Sequence, residues 1–152
     1  MRRYLVLCSV AVCLQPTARA DDKPAAPHIH RSPTMDKCIA ACVACTNQCE
    51  SCFVHCTNLV EAGKKEHVTT LKSCIDCGDL CAIAGKIMSR DGALIMPACE
   101  GCAKGCDACA TACEKFPDDE HMKACAKSCR DCAKSCREML RSSSSASIRA
   151  PR

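Results

Sequence analysis

The chain has 152 residues and a net charge of +4, which is one domain's worth of sequence on a length prior of about 100–200 residues. It holds no Trp, one Tyr and two Phe against 20 Cys, so the aromatic mass that usually dominates a core is missing. Without Arg2, Arg3 and Arg19 of the N-terminal leader, 18 basic residues face 17 acidic ones, and no basic stripe or RNA-reading motif argues for nucleic acid as a partner.

Residues 1–20 read as an export signal: Arg2-Arg3, an apolar stretch from Tyr4 to Leu14, and Ala18-Arg19-Ala20 as an A-x-A cleavage site before Asp21. The apolar stretch is too short to span a bilayer. The residues around Arg2-Arg3 match the twin-arginine pattern poorly, which favours general secretion to a bacterial periplasm or cell envelope. Val12 before Cys13 speaks against a lipid anchor, so Cys8 and Cys13 leave with the leader and 18 cysteines remain.

Residues 21–33 contain Pro24, Pro27 and Pro33 without an apolar period and read as a flexible arm. Its His28 and His30 form an H-x-H pair that reads better as a solvated tail than as a metal site. A first helix opens at Ser32-Pro33 or Thr34 and closes at Gly63. A second runs from about Val68 to Ser89 and stops at Asp91-Gly92. A third begins near Pro97 and ends by Phe116-Pro117. Asp118 is the expected cap of a fourth, with Asp119 and Glu120 in its first turn, ending at Leu140 before a disordered Ser-rich tail over residues 141–152. Short connections between helices of similar length predict an all-α, antiparallel, up-down-up-down four-helix bundle over residues 34–140.

Within each helix the cysteines recur at alternating gaps of three and four. They are Cys38, Cys42, Cys45, Cys49, Cys52 and Cys56; then Cys74, Cys77 and Cys81; then Cys99, Cys102, Cys106, Cys109 and Cys113; then Cys125, Cys129, Cys132 and Cys136. At 100° per residue, the first six stay within about 40° either side of one helical face. Four such faces turned inward make a cysteine-lined core. Protonated thiols are small hydrophobes and thiolates are soft ligands, which select Cu(I), Zn or iron–sulfur clusters. Zinc takes isolated tetrahedral sets of four, whereas an unbroken stripe suits Cu(I), an ion content with two or three sulfurs. A zinc or mixed-metal thiolate buffer remains the alternative binding reading, and a disulfide-stapled helical protein the structural one. Bridges along one helix at i and i+4 are strained, which disfavours the latter. The chain has no Cys-Pro and keeps its seam helical, unlike a ferredoxin run, and no cysteine stands apart with a base as a nucleophile would.

These spacings resemble the four-helix-bundle copper storage proteins, a bacterial family, from roughly Met35 to Leu140. The carriers are Cys38-x3-Cys42-x2-Cys45-x3-Cys49, Cys74-Ile-Asp-Cys77-Gly-Asp-Leu-Cys81 and the matching alternation in the last two helices. The resemblance implies many Cu(I) ions along the bundle axis, held by the 18 cysteines as pairs within a helix and with neighbouring helices. It also implies homo-oligomers, no enzymatic activity, and an unidentified copper donor or acceptor. Family members are exported or cytosolic, and the leader places this chain with the exported kind.

Extending the seam one step past each cluster separates the two ends of the tube. Met35, Met88, Met96 and Met139 fall in phase at one end, where weakly binding thioethers suit metal entry. At the other end the seam runs into Leu59, Val60, Leu71 and Phe116, an apolar plug. His55, His67, His121 and Met122 lie toward that end as weaker candidates, each histidine being expected in a solvated loop or helix-end position.

Overall fold

The computed structural model describes residues 31–149, with side chains through Ser142. The export signal, the histidines His28 and His30 and most of the arm lie outside these residues. Helix α1 spans Pro33–Glu61, α2 Val68–Ser89, α3 Ile95–Cys113 and α4 Glu120–Arg149, with a short 3-10 turn at Lys65–His67 before α2. Each helix packs on two neighbours, α1 on α2 and α4, and α3 on α2 and α4, and among the described residues the backbones of diagonal helices do not approach closely. That is the antiparallel four-helix bundle the spacing predicts, with the cysteines in its core.

Local chemistry sets the helix ends. Ser32 caps α1 by accepting the Met35 amide at 3.2 Å, and Pro33 occupies the first helical position, where its missing N–H costs nothing. Gly63, at φ +88°, closes α1: its amide reaches the Val60 carbonyl at 2.9 Å, and the Lys64 amide reaches Leu59 at 3.0 Å. This is the Schellman pattern, which uses a left-handed residue to satisfy the last carbonyls.

Helix α2 ends in the same pattern with a different residue turned. Asp91, not Gly92, takes the positive φ of 50°, and the amides of Asp91 and Gly92 bond Met88 and Ile87 at 3.1 and 3.0 Å. Aspartate tolerates this region better than most side chains. Gly92 is needed for space, since a Cβ there would lie 3.1 Å from Ile87 Cγ2 and 3.3 Å from the Ile87 carbonyl oxygen.

Three boundaries differ from expectation. Helix α3 starts at Ile95, before Pro97, because a proline is harmless anywhere in a first turn that has no donor to lose. Asp119 rather than Asp118 caps α4: its Oδ1 accepts the amides of His121 and Met122 at 2.9 and 3.1 Å. The segment expected as a disordered tail continues α4 as far as Arg149. Propagating an established helix needs only one hydrogen bond per residue fixed, and Ser142 bonds back to the Met139 carbonyl at 2.9 Å within it.

Asp119 also ties α4 to α1, because its Oδ2 lies 2.8 Å from His55 Nε2. Burial resists its charge, but the bonds from His55 and from the Met122 and His121 amides outweigh this and hold its carboxyl below the usual range. A depressed carboxyl stabilises the fold above its unfolded pKa and loses that contribution as pH falls through the folded value. Asp119→Ala is therefore expected to lower the stability of the reduced, metal-free protein by about 1 kcal/mol at neutral pH. Thermal unfolding at pH 7 and at pH 3 checks this, and the gap between variant and parent should shrink at the lower pH.

Candidate metal centre

All 18 cysteines of the bundle are buried, none is in a disulfide, and none is more than 1 % exposed. Small neighbours bring their helices close. Gly78 and Gly85, one heptad apart on α2, sit where a Cβ would lie 3.6 Å from the Cβ atoms of Cys49 and Cys42 on α1. On α3 and α4 the buried Ala103, Ala110, Ala126 and Ala133 each follow a cysteine. This Cys-Ala pair, repeating every heptad, widens the inward stripe without adding bulk. It was readable in the sequence as a second periodic signal beside the thiols.

The sulfurs form one connected column. At the Cys38 end, Cys38 lies 3.7 Å from Cys136, and Cys42 lies 3.9 Å from Cys102 and 3.8 Å from Cys132. Next along the axis, Cys81 is 3.5 Å from both Cys102 and Cys106, and Cys77 is 3.6 Å from Cys106. Cys45 and Cys49 each lie 3.8 Å from Cys129, and Cys74 lies 3.8 Å from Cys109. Contacts between helices outnumber those along a helix, where Cys45–Cys49, Cys77–Cys81 and Cys102–Cys106 are 4.0 Å apart.

Several sets of four sulfurs fall within 4.8 Å of one another: Cys42, Cys102, Cys132 and Cys136; Cys45, Cys49, Cys77 and Cys129; Cys45, Cys77, Cys81 and Cys106; Cys49, Cys109, Cys125 and Cys129; and Cys52, Cys74, Cys113 and Cys125. These sets overlap. Cys45, Cys49, Cys77, Cys125 and Cys129 each belong to two, so at most three of these five sets could be filled at once by tetrahedral ions with four ligands of their own. Ions that accept two or three shared sulfurs fit such a column better than ions requiring four of their own.

Proton placement in the column follows from the same contacts. Burial pushes a thiol up, and a hydrogen bond donated to a thiolate pulls it down. Hydrogen bonding with Cys106 brings the Cys77 thiol down to about 7, and that with Cys113 brings Cys52 down to about 5. Cys129 and Cys106 move the other way. Neighbouring sulfurs thus hydrogen-bond with one another across the core, as Cys77 does with Cys106 at 3.6 Å.

The two ends differ. Met88 is fully buried and its Sδ accepts from Cys99 Sγ at 3.7 Å. Met139 is buried and Met35 half-buried against the core. Met96 departs from expectation: it is half-buried, and its neighbour Ile95 is the side chain packed against the core, because at 100° per residue Ile95, four before Cys99, falls on the sulfur face and Met96 falls to its side. At the opposite end Leu59, Leu71 and Phe116 pack against the core as expected, whereas Val60 is half-buried and not among them, and the fully buried Met122 accepts from Cys52 at 3.7 Å. His55 and His121 are half-buried and stack at 4.6 Å, with Ser51 Oγ 3.3 Å from His121 Nε2. His67 does not lie in a solvated loop: it is 6 % exposed, and its ring stacks on Phe116 at 4.0 Å.

A family model described as copper storage protein matches residues 31–141. The chain belongs to the copper storage protein family. The Cu(I)-bound copper storage protein BsCsp3 is 37 % identical, with a TM-score of 0.63 over 70 % of this chain and 98 % of that one. Apo copper storage protein 3 from Bacillus subtilis is 36 % identical, with a TM-score of 0.62 over 69 % and 97 %. The copper storage protein Ccsp from Streptomyces lividans, loaded with 10 copper equivalents, is 27 % identical with a TM-score of 0.65 over 70 % and 83 %. Among curated proteins, the cysteine-rich protein YhjQ of Bacillus subtilis is 40 % identical over 97 residues, 61 % of this chain and 83 % of that protein. The family match spans the whole cysteine column.

Proposed function

We propose that this protein is an exported copper store that holds many Cu(I) ions along its axis through the 18 cysteines of the bundle. The observation that carries the reading is the overlap of the four-sulfur sets, which favours ions content with shared, low-coordinate thiolate sites. Charge points the same way. An ion held by two unshared thiolates leaves one negative charge in a buried core, which is costly. An ion that displaces one thiol proton and shares its sulfurs leaves none. Neutrality therefore favours filling to the order of one Cu(I) per Cys, with about one proton released per ion bound.

The column does no bond-breaking chemistry in this reading; it exchanges protons for copper and copper for protons. Oligomers of bundles and a separate copper donor or acceptor complete the reading. Location depends on this chain's own N-terminal sequence rather than on the fold, since the Streptomyces lividans relative is a cytosolic copper storage protein. The support for export is Arg2-Arg3, the apolar stretch and Ala18-Arg19-Ala20. Among the described residues no helix is long and apolar enough to cross a membrane. Metal entry is assigned to the thioether end, where Met35, Met88 and Met139 meet the Cys38, Cys99 and Cys136 end of the column, with Met96 nearby.

Anaerobic Cu(I) titration of the reduced protein should saturate on the order of one ion per thiol, whereas zinc saturating at about one ion per four thiols with higher preference supports the zinc buffer instead. Cys45→Ser should lower capacity by roughly one ion and leave helix content intact, because neighbouring sulfurs re-share; complete loss of binding would mean a single discrete cluster.

Cell fractionation of the producing bacterium, with N-terminal sequencing, should find mature protein beginning at Asp21 in the envelope fraction. Full-length chain confined to the cytosol sinks the export assignment.

Replacing Met35, Met88, Met96 and Met139 together by Leu roughly preserves volume, at under about 1.5 kcal/mol per swap. Capacity should stay the same while loading, and release to a chelator, slow down. Unchanged rates move the entrance to the His55 and His121 end.

A further inference from the structure

Between α1 and α2 the surface opens into a cavity of about 400 Å3, whose walls include Ile39 and Val43 of α1 and Cys81, Gly85, Lys86 and Arg90 of α2. Gly85 brings no side chain to fill it, and Val43, 54 % exposed, leaves its apolar flank uncovered. A mainly apolar cavity of this size with a few polar groups at one end is the usual form of a small-ligand site.

Cys81 belongs to the wall of this cavity and to the sulfur column at once. Its Sγ lies 3.5 Å from both Cys102 and Cys106, 3.9 Å from Cys132 and 4.0 Å from Cys77. An ion passed to Cys81 therefore meets further sulfurs on three helices, which suits capture by sharing. Charge sits at the other end of the cavity: Lys86 and Arg90 are exposed, and no Asp or Glu is part of the lining. At about 1.5 Å per residue these two cations stand roughly 8 and 14 Å from Cys81 along the helix axis. An occupant that uses both ends has an anionic group for the cations, a body a few bonds long against Ile39 and Val43, and a soft donor beside Cys81. A small acidic thiol has all three.

We propose that this cavity binds a low-molecular-mass anionic thiol carrying Cu(I), and that the ion passes from it to Cys81. The proposal rests on the copper storage reading and names the class of donor; it adds a side route for carried copper to the thioether entrance. The exchange balances: a copper–sulfur bond to Cys81 forms as the one to the carrier breaks, the Cys81 proton goes to the departing carrier thiolate, and copper stays Cu(I).

Glutathione serves as the probe. In the double variant Lys86→Glu, Arg90→Glu, anaerobic loading of the reduced protein from the Cu(I)–glutathione complex should slow about tenfold and lose most of its salt dependence. Loading from Cu(I)–acetonitrile, which has no anionic group, should keep the parent's rate, and capacity should not change. In metal-free wild-type protein, S-methylglutathione, which keeps the carboxylates and lacks the thiol, should shift the NMR amide resonances of Val43, Ala82 and Lys86. Equal loading rates from Cu(I)–glutathione in variant and parent, equal slowing with both copper complexes, or amide shifts that are absent or lie elsewhere overturn the proposal and leave the storage reading standing. Shifts that follow protein concentration instead of added ligand mark a contact between copies and overturn it too. A wild-type chain that takes up Cu(I) from neither complex overturns both readings.

Discussion

Contact between sulfurs of different helices is the constraint on which the rest of this molecule depends. With Sγ atoms 3.5–4.0 Å apart across the axis, the helices must approach closely, and only small side chains permit it. Gly78, Gly85 and the alanines that follow the cysteines of α3 and α4 occupy the flanking positions for that reason. A leucine core would hold the same four helices further apart and leave no sulfur column.

That choice thins the ordinary sources of stability. The largest fully buried side chains are Met88, Met122 and Thr70, followed by cysteines, so little of the apolar area that stabilises most bundles is available. Helix ends are correspondingly well finished, with two Schellman closures and side-chain caps at Ser32 and Asp119. On the outside Arg130 makes a two-pronged pair with Glu114 at 2.9 and 2.7 Å and reaches Asp107, which also pairs with Arg137. Exposed pairs of this kind contribute little each. A ligand that binds only the folded column adds stability by mass action, so storing metal and holding the fold together are one process.

The ends of the column give it a direction. One is finished by thioethers, weak and exchangeable donors, and the other by an apolar plug of Leu59, Leu71 and Phe116 that encloses a histidine. Both carry a methionine against a thiol near the end, Met88 on Cys99 and Met122 on Cys52. The difference therefore lies in what stands outside those methionines.

The helices, their antiparallel order and the inward face of every cysteine were legible in the sequence, because a gap alternating between three and four residues admits only a helical seam and short connections admit only antiparallel neighbours. Proline, glycine and serine placed the helix ends to within a few residues. Whether Asp118 or Asp119 caps α4, or Asp91 or Gly92 turns left-handed, depends on where the backbone sits once the helices have docked. Pairing of sulfurs across helices was not legible either: sequence spacing fixes the neighbours along one helix, while the axial register of one helix against another is set by packing. The same docking buried His67 against Phe116 and left its Nδ1 bare, since a residue in a connecting turn carries no periodic signal and only the assembled end of the bundle decides what it faces.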